Sequence, residues 1–444
     1  MAWPTELSKT ATTQKAQRRR STGIVWWSLL MAAICLEGLG RRFLPIPGPV
    51  LYFVKDLILV SGLLAIGIDP AVAAMARRLA RPLLFLLAAT TAWCLLSLLG
   101  PGHPSIPLGL LGTRQYVLWW VAPLLVATAV LEDGQLVKSE RFLSVLAIGI
   151  AAFAAYQFEQ PPDAAVNAYA WGDDTGAVAG VASTGRVRVS STFSYISGFA
   201  DFVILAVPIL LASAVSARRA RSSRIRYVAA GCLAAAAPMS GARATVLYVA
   251  AGSLAVLGLS GSFRLRRGKV TLVVMVLAAS VGVWAAPEAA QGVQDRFGSE
   301  DTTERFRDLA LAIPVYTILN TDFPTFGAGV GTLQNAGVAL QVESAWQVEA
   351  EPQRVLIELG LPGYLLVWLS RFFLAFALVR AGRMLSRAGA PAWGGVAWMY
   401  AGFAFLLPLT TDHVAQSFYF VGIGLTLARL VRIGPPRTPV KSRA

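Results

Sequence analysis

Three arginines, Arg188, Arg243 and Arg305, and two glutamates, Glu349 and Glu351, lie in polar stretches that interrupt long apolar ones. A guanidinium is a planar fork of permanent positive charge that grips phosphate oxygens in pairs, and a carboxylate accepts protons. Together they suit group transfer from a phosphate ester: the cations hold the charge that grows on the leaving group, and the carboxylate removes a proton from the attacking hydroxyl. Arg188 lies in Arg186-Val187-Arg188-Val189-Ser190-Ser191-Thr192-Phe193, just ahead of an apolar run, where the free amides of a helix entrance add to its charge. Arg243 stands in Ser240-Gly241-Ala242-Arg243-Ala244, a short link that Pro238 and Gly241 let turn. Arg305 follows Asp301-Thr302-Thr303-Glu304, a helix start of capping-box type, with Phe306, Leu309, Ala310 and Ile313 at helical spacing behind it. Pro352 suits the first position of another helix, which puts Glu349 and Glu351 just outside its entrance. Each residue also has a plainer role: an arginine beside an apolar run anchors a membrane interface, and a carboxylate at a helix start complements the helix dipole. Phe326-Gly327-Ala328-Gly329-Val330-Gly331 reads as a flexible turn; it lacks the Lys-Ser/Thr pair of a P-loop and the strand-to-helix setting of a dinucleotide fingerprint.

The elements that must position these residues are membrane helices. Of the 444 residues, 56% are hydrophobic and 14% charged, and the mean hydropathy is +0.59. That balance belongs to a multi-pass membrane protein. Apolar windows fall at 24–39, 47–67, 82–99, 116–131, 142–157, 193–216, 227–240, 245–261, 270–286, 355–379, 393–409 and 414–431. At the length a bilayer requires, they amount to about twelve spans of an all-α bundle. With that count, the basic clusters around Arg18–Arg20, Arg77–Arg81, Lys138–Arg141, Arg218–Arg226, Arg264–Lys269 and Arg380–Arg387 all fall on one face. The positive-inside rule then makes both termini cytoplasmic and exports the links 158–192 and 287–354. The organisation expected is a basic N-terminus (1–23), nine spans (24–286), a large external loop (287–354), three spans (355–432) and a cytoplasmic tail (433–444).

A net charge of +15 and a pI near 10.2 would fit nucleic acid only if the basic residues formed one patch; they are spread over short links, so membrane orientation explains them. Cys35, Cys94 and Cys232 lie inside apolar windows and read as buried thiols, so neither a disulfide framework nor a metal site is expected. The first apolar run lacks a small-residue cleavage pattern and is expected to remain as a signal anchor. The two halves show no internal repeat, which counts against a transporter built by duplication. Among charges in or near spans, Lys55 and Asp56 are expected to line a cavity, with Arg186 and Arg354 as further cavity residues. Arg371 is expected to snorkel, while Arg41 and Arg42 either snorkel or face a cavity. Asp201 either bonds a neighbouring span or reaches a wet cleft.

The order of these motifs carries a resemblance. An Arg-led segment opens a span, an SxR-type link joins the next two, a long exported loop carries an Arg-led helix and a GxG turn, and a polar stretch runs into Glu358-Leu359-Gly360-Leu361-Pro362-Gly363. From Arg186 to Gly363, this resembles the O-antigen ligase and polymerase superfamily of bacterial envelope enzymes. Upstream, EGLGRRFLPIPGPVLYFVKDLIL is similar to a segment of members from polysaccharide loci. The resemblance implies a GT-C-like helical fold in the bacterial inner membrane. It also implies a polyprenyl-diphosphate-linked oligosaccharide donor, a glycan acceptor, and neither metal nor nucleotide sugar. By position, Arg188, Arg243 and Arg305 match arginines that bind the donor diphosphate, and Glu349 stands where ligases commonly have His. The only two histidines, His103 and His413, lie outside the insert. The expectation is therefore a polymerase that joins lipid-linked repeats, with Glu349 or Glu351 as base and with chain-length regulator and flippase proteins as partners. A ligase acting on lipid A core is the first alternative, and a flippase or exporter of lipid-linked oligosaccharide the second.

Overall fold

A computed structural model describes residues 4–45, 48–99, 105–169, 180, 185–217, 220–259, parts of 287–294, 318–319, 325–333, 348 and 350–433. Among them every regular element is helical. The order is α1 (Pro4–Phe43), α2 (Gly48–Ala65), α3 (Pro70–Leu98), α4 (Ile106–Val117), α5 (Ala122–Ala129), α6 (Asp133–Glu159), α7 (Ile196–Val215), α8 (Ala220–Ala236), α9 (Arg243–Leu254), α10 (Glu351–Arg387), α11 (Pro391–Leu406) and α12 (His413–Ile433). Six stretches are long and apolar enough to cross a membrane: the Thr22–Phe43 part of α1, α3, the Gly134–Glu159 part of α6, α7, α10 and α12. This is fewer than the apolar windows promise. The remaining helices α4, α5, α8, α9 and α11 are shorter, and α2, of 18 residues, carries Lys55 and Asp56 midway along it. The window at 270–286 lies outside the described residues.

Local chemistry sets the boundaries. Asp69 caps α3, accepting from the Ala71 amide at 2.8 Å with Pro70 at the first position, and Ser105 caps α4 in the same way. Asp412 accepts from the Val414 and Ala415 amides at 2.8 and 3.0 Å and so opens α12. Gly360, at φ 65° and ψ −176°, breaks α10 into two arms, and Pro362 starts the second. Only glycine takes that conformation without strain. The second arm turns Leu365, Leu369, Phe372 and Phe376 outward, the stripe a lipid-facing helix presents.

From Gly198 onward α7 is enclosed and forms the axis of the bundle, packed against α8, α9, α11 and α12. Without water to drive apolar surfaces together, helices in a membrane associate through close packing, and small residues mark the contacts. Gly38 lets α1 run directly against the Phe193 backbone, leaving no room for a Cβ.

Candidate functional site

The residues preceding α7 form a turn built by its neighbours. Arg42, at the end of α1, donates to the carbonyls of Ser191 and Phe193 at 2.7 and 2.6 Å and to the Ser190 hydroxyl. The Leu39 amide donates to Thr192 O at 3.1 Å, the Thr192 hydroxyl to Cys35 O at 2.5 Å, and the Ser191 hydroxyl to Ile150 O of α6 at 2.7 Å. Ser191 is held at φ 48°, a left-handed conformation that a non-glycine residue keeps only where its surroundings over-determine it. Arg42 therefore faces inward as a clamp, which decides against snorkelling for this residue.

The clamped turn delivers Arg188 to the link between α8 and α9. The Val189 amide donates to Met239 O and Arg188 Nε to Ser240 O, both at 3.1 Å. Gly241 turns the chain at φ 62°, and the Arg188 side chain lies across it so closely that a Cβ there would sit 2.8 Å from Arg188 Cγ. Arg243 is the first residue of α9, whose entrance has no side-chain cap. Two of the three arginines expected to act together thus occupy segments that touch, beside the positive end of a helix dipole.

These segments border a cavity of about 340 Å³ lined by Arg188, Tyr195, Asp201, Ala242, Thr245 and Tyr248, with the end of α11 completing the wall. Asp201 is 7% exposed. Its carboxyl group lies beside that of Asp412, and its Oδ2 is buried with no hydrogen-bond partner among the described residues. The open choice for Asp201 is resolved on both counts, since it meets another span's cap and also lines a cleft.

Other expectations need correction. Lys55 and Asp56 do not line the cavity beside Arg188. They are 2% and 6% exposed; Lys55 pairs with Glu37 at 2.6 Å, and Asp56 pairs with Arg114 at 2.7 Å and accepts from Trp119 Nε1 at 3.1 Å. The ion pairs offset the burial of each charge, so these two residues join α1, α2 and α4. Glu351, expected as a possible base, has both oxygens committed: Arg371 donates to them at 2.9 and 2.5 Å, and the Thr410 hydroxyl and amide donate to Oε1. Such a carboxylate braces α10 against the α11–α12 link. Arg371, expected to snorkel, is 1% exposed and turned into the bundle, because the Gly360 bend lays the first arm of α10 beside the second. The FGAGVG turn is held and not flexible: Ala328 and Gly329 donate to the carbonyls of Ile357 and Glu358, and Leu361 donates to Thr325 O. Buried Glu358 completes that dock by accepting from the Tyr116 hydroxyl and the Leu333 amide at 2.7 and 2.8 Å.

Arg186, half-exposed, reaches Glu159 at 3.5 Å and Glu288 at 3.9 Å and lies over the Phe158 ring. Arg354 donates to Val348 O at 3.0 Å. Neither lines the cavity beside Arg188. Arg305 and Glu349 lie outside the described residues. Among the described residues no three His, Cys, Asp or Glu side chains gather in a way that would hold a metal ion. Asp412 was not among the residues singled out from the sequence; its place as a helix cap in Thr411-Asp412-His413-Val414 was the available signal.

No family model matches the chain, and no curated protein matches it.

Proposed function

We propose that the chain is an inner-membrane glycosyltransferase of the O-antigen polymerase and ligase type, with about twelve spans in a GT-C-like arrangement, acting as a polymerase. It moves a glycan from a polyprenyl diphosphate to a hydroxyl of a second lipid-linked repeat at the exported face. The observation that carries this reading is the meeting of Arg188 with the Ser240–Arg243 link at the mouth of α9, beside a cavity large enough for a sugar. A diphosphate is already a good leaving group, so the main demand is to hold its growing negative charge, and fixed guanidinium groups at a helix entrance meet that demand. Arg188 and Arg243 fill this role, with Arg305 of the external loop as the third cation. The absence of histidine from residues 287–354 favours the polymerase over the ligase.

The test is to reconstitute the purified protein with its host's lipid-linked repeat and separate the products by size. A ladder is the expected result. A single transfer onto lipid A core would identify a ligase, and no new glycosidic bond would point to transport. Arg243→Ala, with membrane insertion confirmed, is expected to abolish the ladder; chains of normal length would remove Arg243 from the site.

A further inference from the structure

Five acidic side chains are buried among the described residues: Asp56, Glu140, Asp201, Glu351 and Glu358. Asp56, Glu140 and Glu351 each meet an arginine, and Glu358 meets a tyrosine hydroxyl and a backbone amide. Asp201 meets another acid. A carboxylate inside a membrane helix costs at least about 2.5 kcal/mol and is kept where it has work to do. Asp201 also lies in the opening turns of α7, lines the cavity that Arg188 borders, and has a buried oxygen without a partner among the described residues.

We propose that Asp201 is the catalytic residue that takes the proton of the acceptor hydroxyl, with Asp412 as the second member of a proton relay, and that the cavity between α7 and α9 receives the acceptor sugar. This rests on the glycosyltransferase reading. An acid beside a diphosphate repels it, so Asp201 serves the other reactant, the neutral sugar. Carboxyl groups bond sugar hydroxyls, and the rings of Tyr195 and Tyr248 in the same wall offer faces for a pyranose to lie against. Asp412 is fixed because its Oδ1 accepts two α12 amides, which hold it in place for the exchange.

The step balances. In the proposed relay the adjacent carboxyl groups of Asp201 and Asp412 hold one proton between them, with a net single negative charge. The hydroxyl oxygen bonds to the anomeric carbon, and the carbon–oxygen bond to the diphosphate breaks with its electron pair going to the phosphate oxygen beside Arg188. The hydroxyl proton passes to Asp201 as the shared proton settles on Asp412. The pair becomes neutral while the diphosphate gains one negative charge, and water later removes the extra proton.

The experiment measures two quantities on the full-length protein in lipid nanodiscs: binding of undecaprenyl diphosphate, and initial rate of transfer from the host's lipid-linked repeat. Asp201→Asn is expected to bind undecaprenyl diphosphate like the wild type while transfer falls by about 10²- to 10⁴-fold. Asp201→Glu, which keeps an acid, recovers part of the rate. Should the Asn variant fold poorly, Asp412→Asn gives the same reading, with binding kept and transfer reduced. Near-normal transfer in Asp201→Asn, or parallel loss of binding and transfer in a folded variant, overturns the assignment. A wild-type protein that binds undecaprenyl diphosphate but forms no glycosidic bond overturns the glycosyltransferase reading itself, an outcome separate from the behaviour of Asp201.

Discussion

Two charged clusters sit at opposite ends of the axial helix α7. Near its end, Glu140 of α6 is held between Arg226 of α8, at 2.8 Å, and Arg429 of α12, while Arg226 also donates to Ser213 O of α7 at 3.0 Å. Near its start, Asp201 faces Asp412, and Arg188 borders a cavity that is open to a ligand. In the first cluster opposite charges are matched in a dry space, so the group is a fastener. In the second, two acids lie side by side at the edge of a cavity, and among the described residues one Asp201 oxygen has no hydrogen-bond partner. The lesson is that burial alone does not mark chemistry in a membrane bundle; mismatched burial beside space does.

The comparison is broken most severely at Arg188. Arg188→Ala is expected to lower transfer by about 10²- to 10³-fold and to weaken undecaprenyl diphosphate binding, with little change in melting temperature. A melting temperature that collapses along with activity would make the residue a fastener too. Glu140→Ala is the mirror experiment. It leaves two arginines facing each other in a dry setting and is expected to cost about 3–5 kcal/mol of stability, while the folded fraction keeps its transfer rate; thermal melts paired with specific activity check both halves. Next comes Gly241→Ala, which forces a Cβ into the left-handed region at about 1–2 kcal/mol and pushes on the Arg188 side chain. Weakened lipid diphosphate binding with an intact fold is the expected result. The smallest effect belongs to Thr410→Val, which removes one hydrogen bond from Glu351, worth about 1 kcal/mol. It is expected to lower the melting temperature slightly and leave transfer unchanged, as suits a brace and not a base.

The helices were legible in the sequence where an apolar window covers most of one, as in α6, α7 and α12, whereas the caps Asp69 and Ser105 fall outside the windows, so the starts of α3 and α4 were not legible. The convergence of Arg188 with the Ser240–Arg243 link was also anticipated, because both segments border consecutive apolar runs and so return to the same end of the bundle. Partner choice was not legible. Whether Lys55 faces Glu37 or a cavity depends on how α2 is rotated about its own axis, and apolar residues on every side of a membrane helix hide that rotation. Arg371 finds Glu351 only because Gly360 takes a positive φ, and Glu-Leu-Gly-Leu-Pro-Gly reads equally well as a bend or as a continuous entrance. Asp201 stood out as an acid in an apolar run, but Asp412 lies on another helix far along the chain, and only packing brings the two together.

The most direct measurement of the central claim is growth of a radiolabelled glycan on purified, nanodisc-embedded protein supplied only with its host's lipid-linked repeat, compared between wild type and Arg188→Ala. The account predicts a ladder of lengthening products from the wild type and unreacted repeat from the variant. Identical ladders from both proteins, or unreacted repeat from both while each still binds it, would contradict the account.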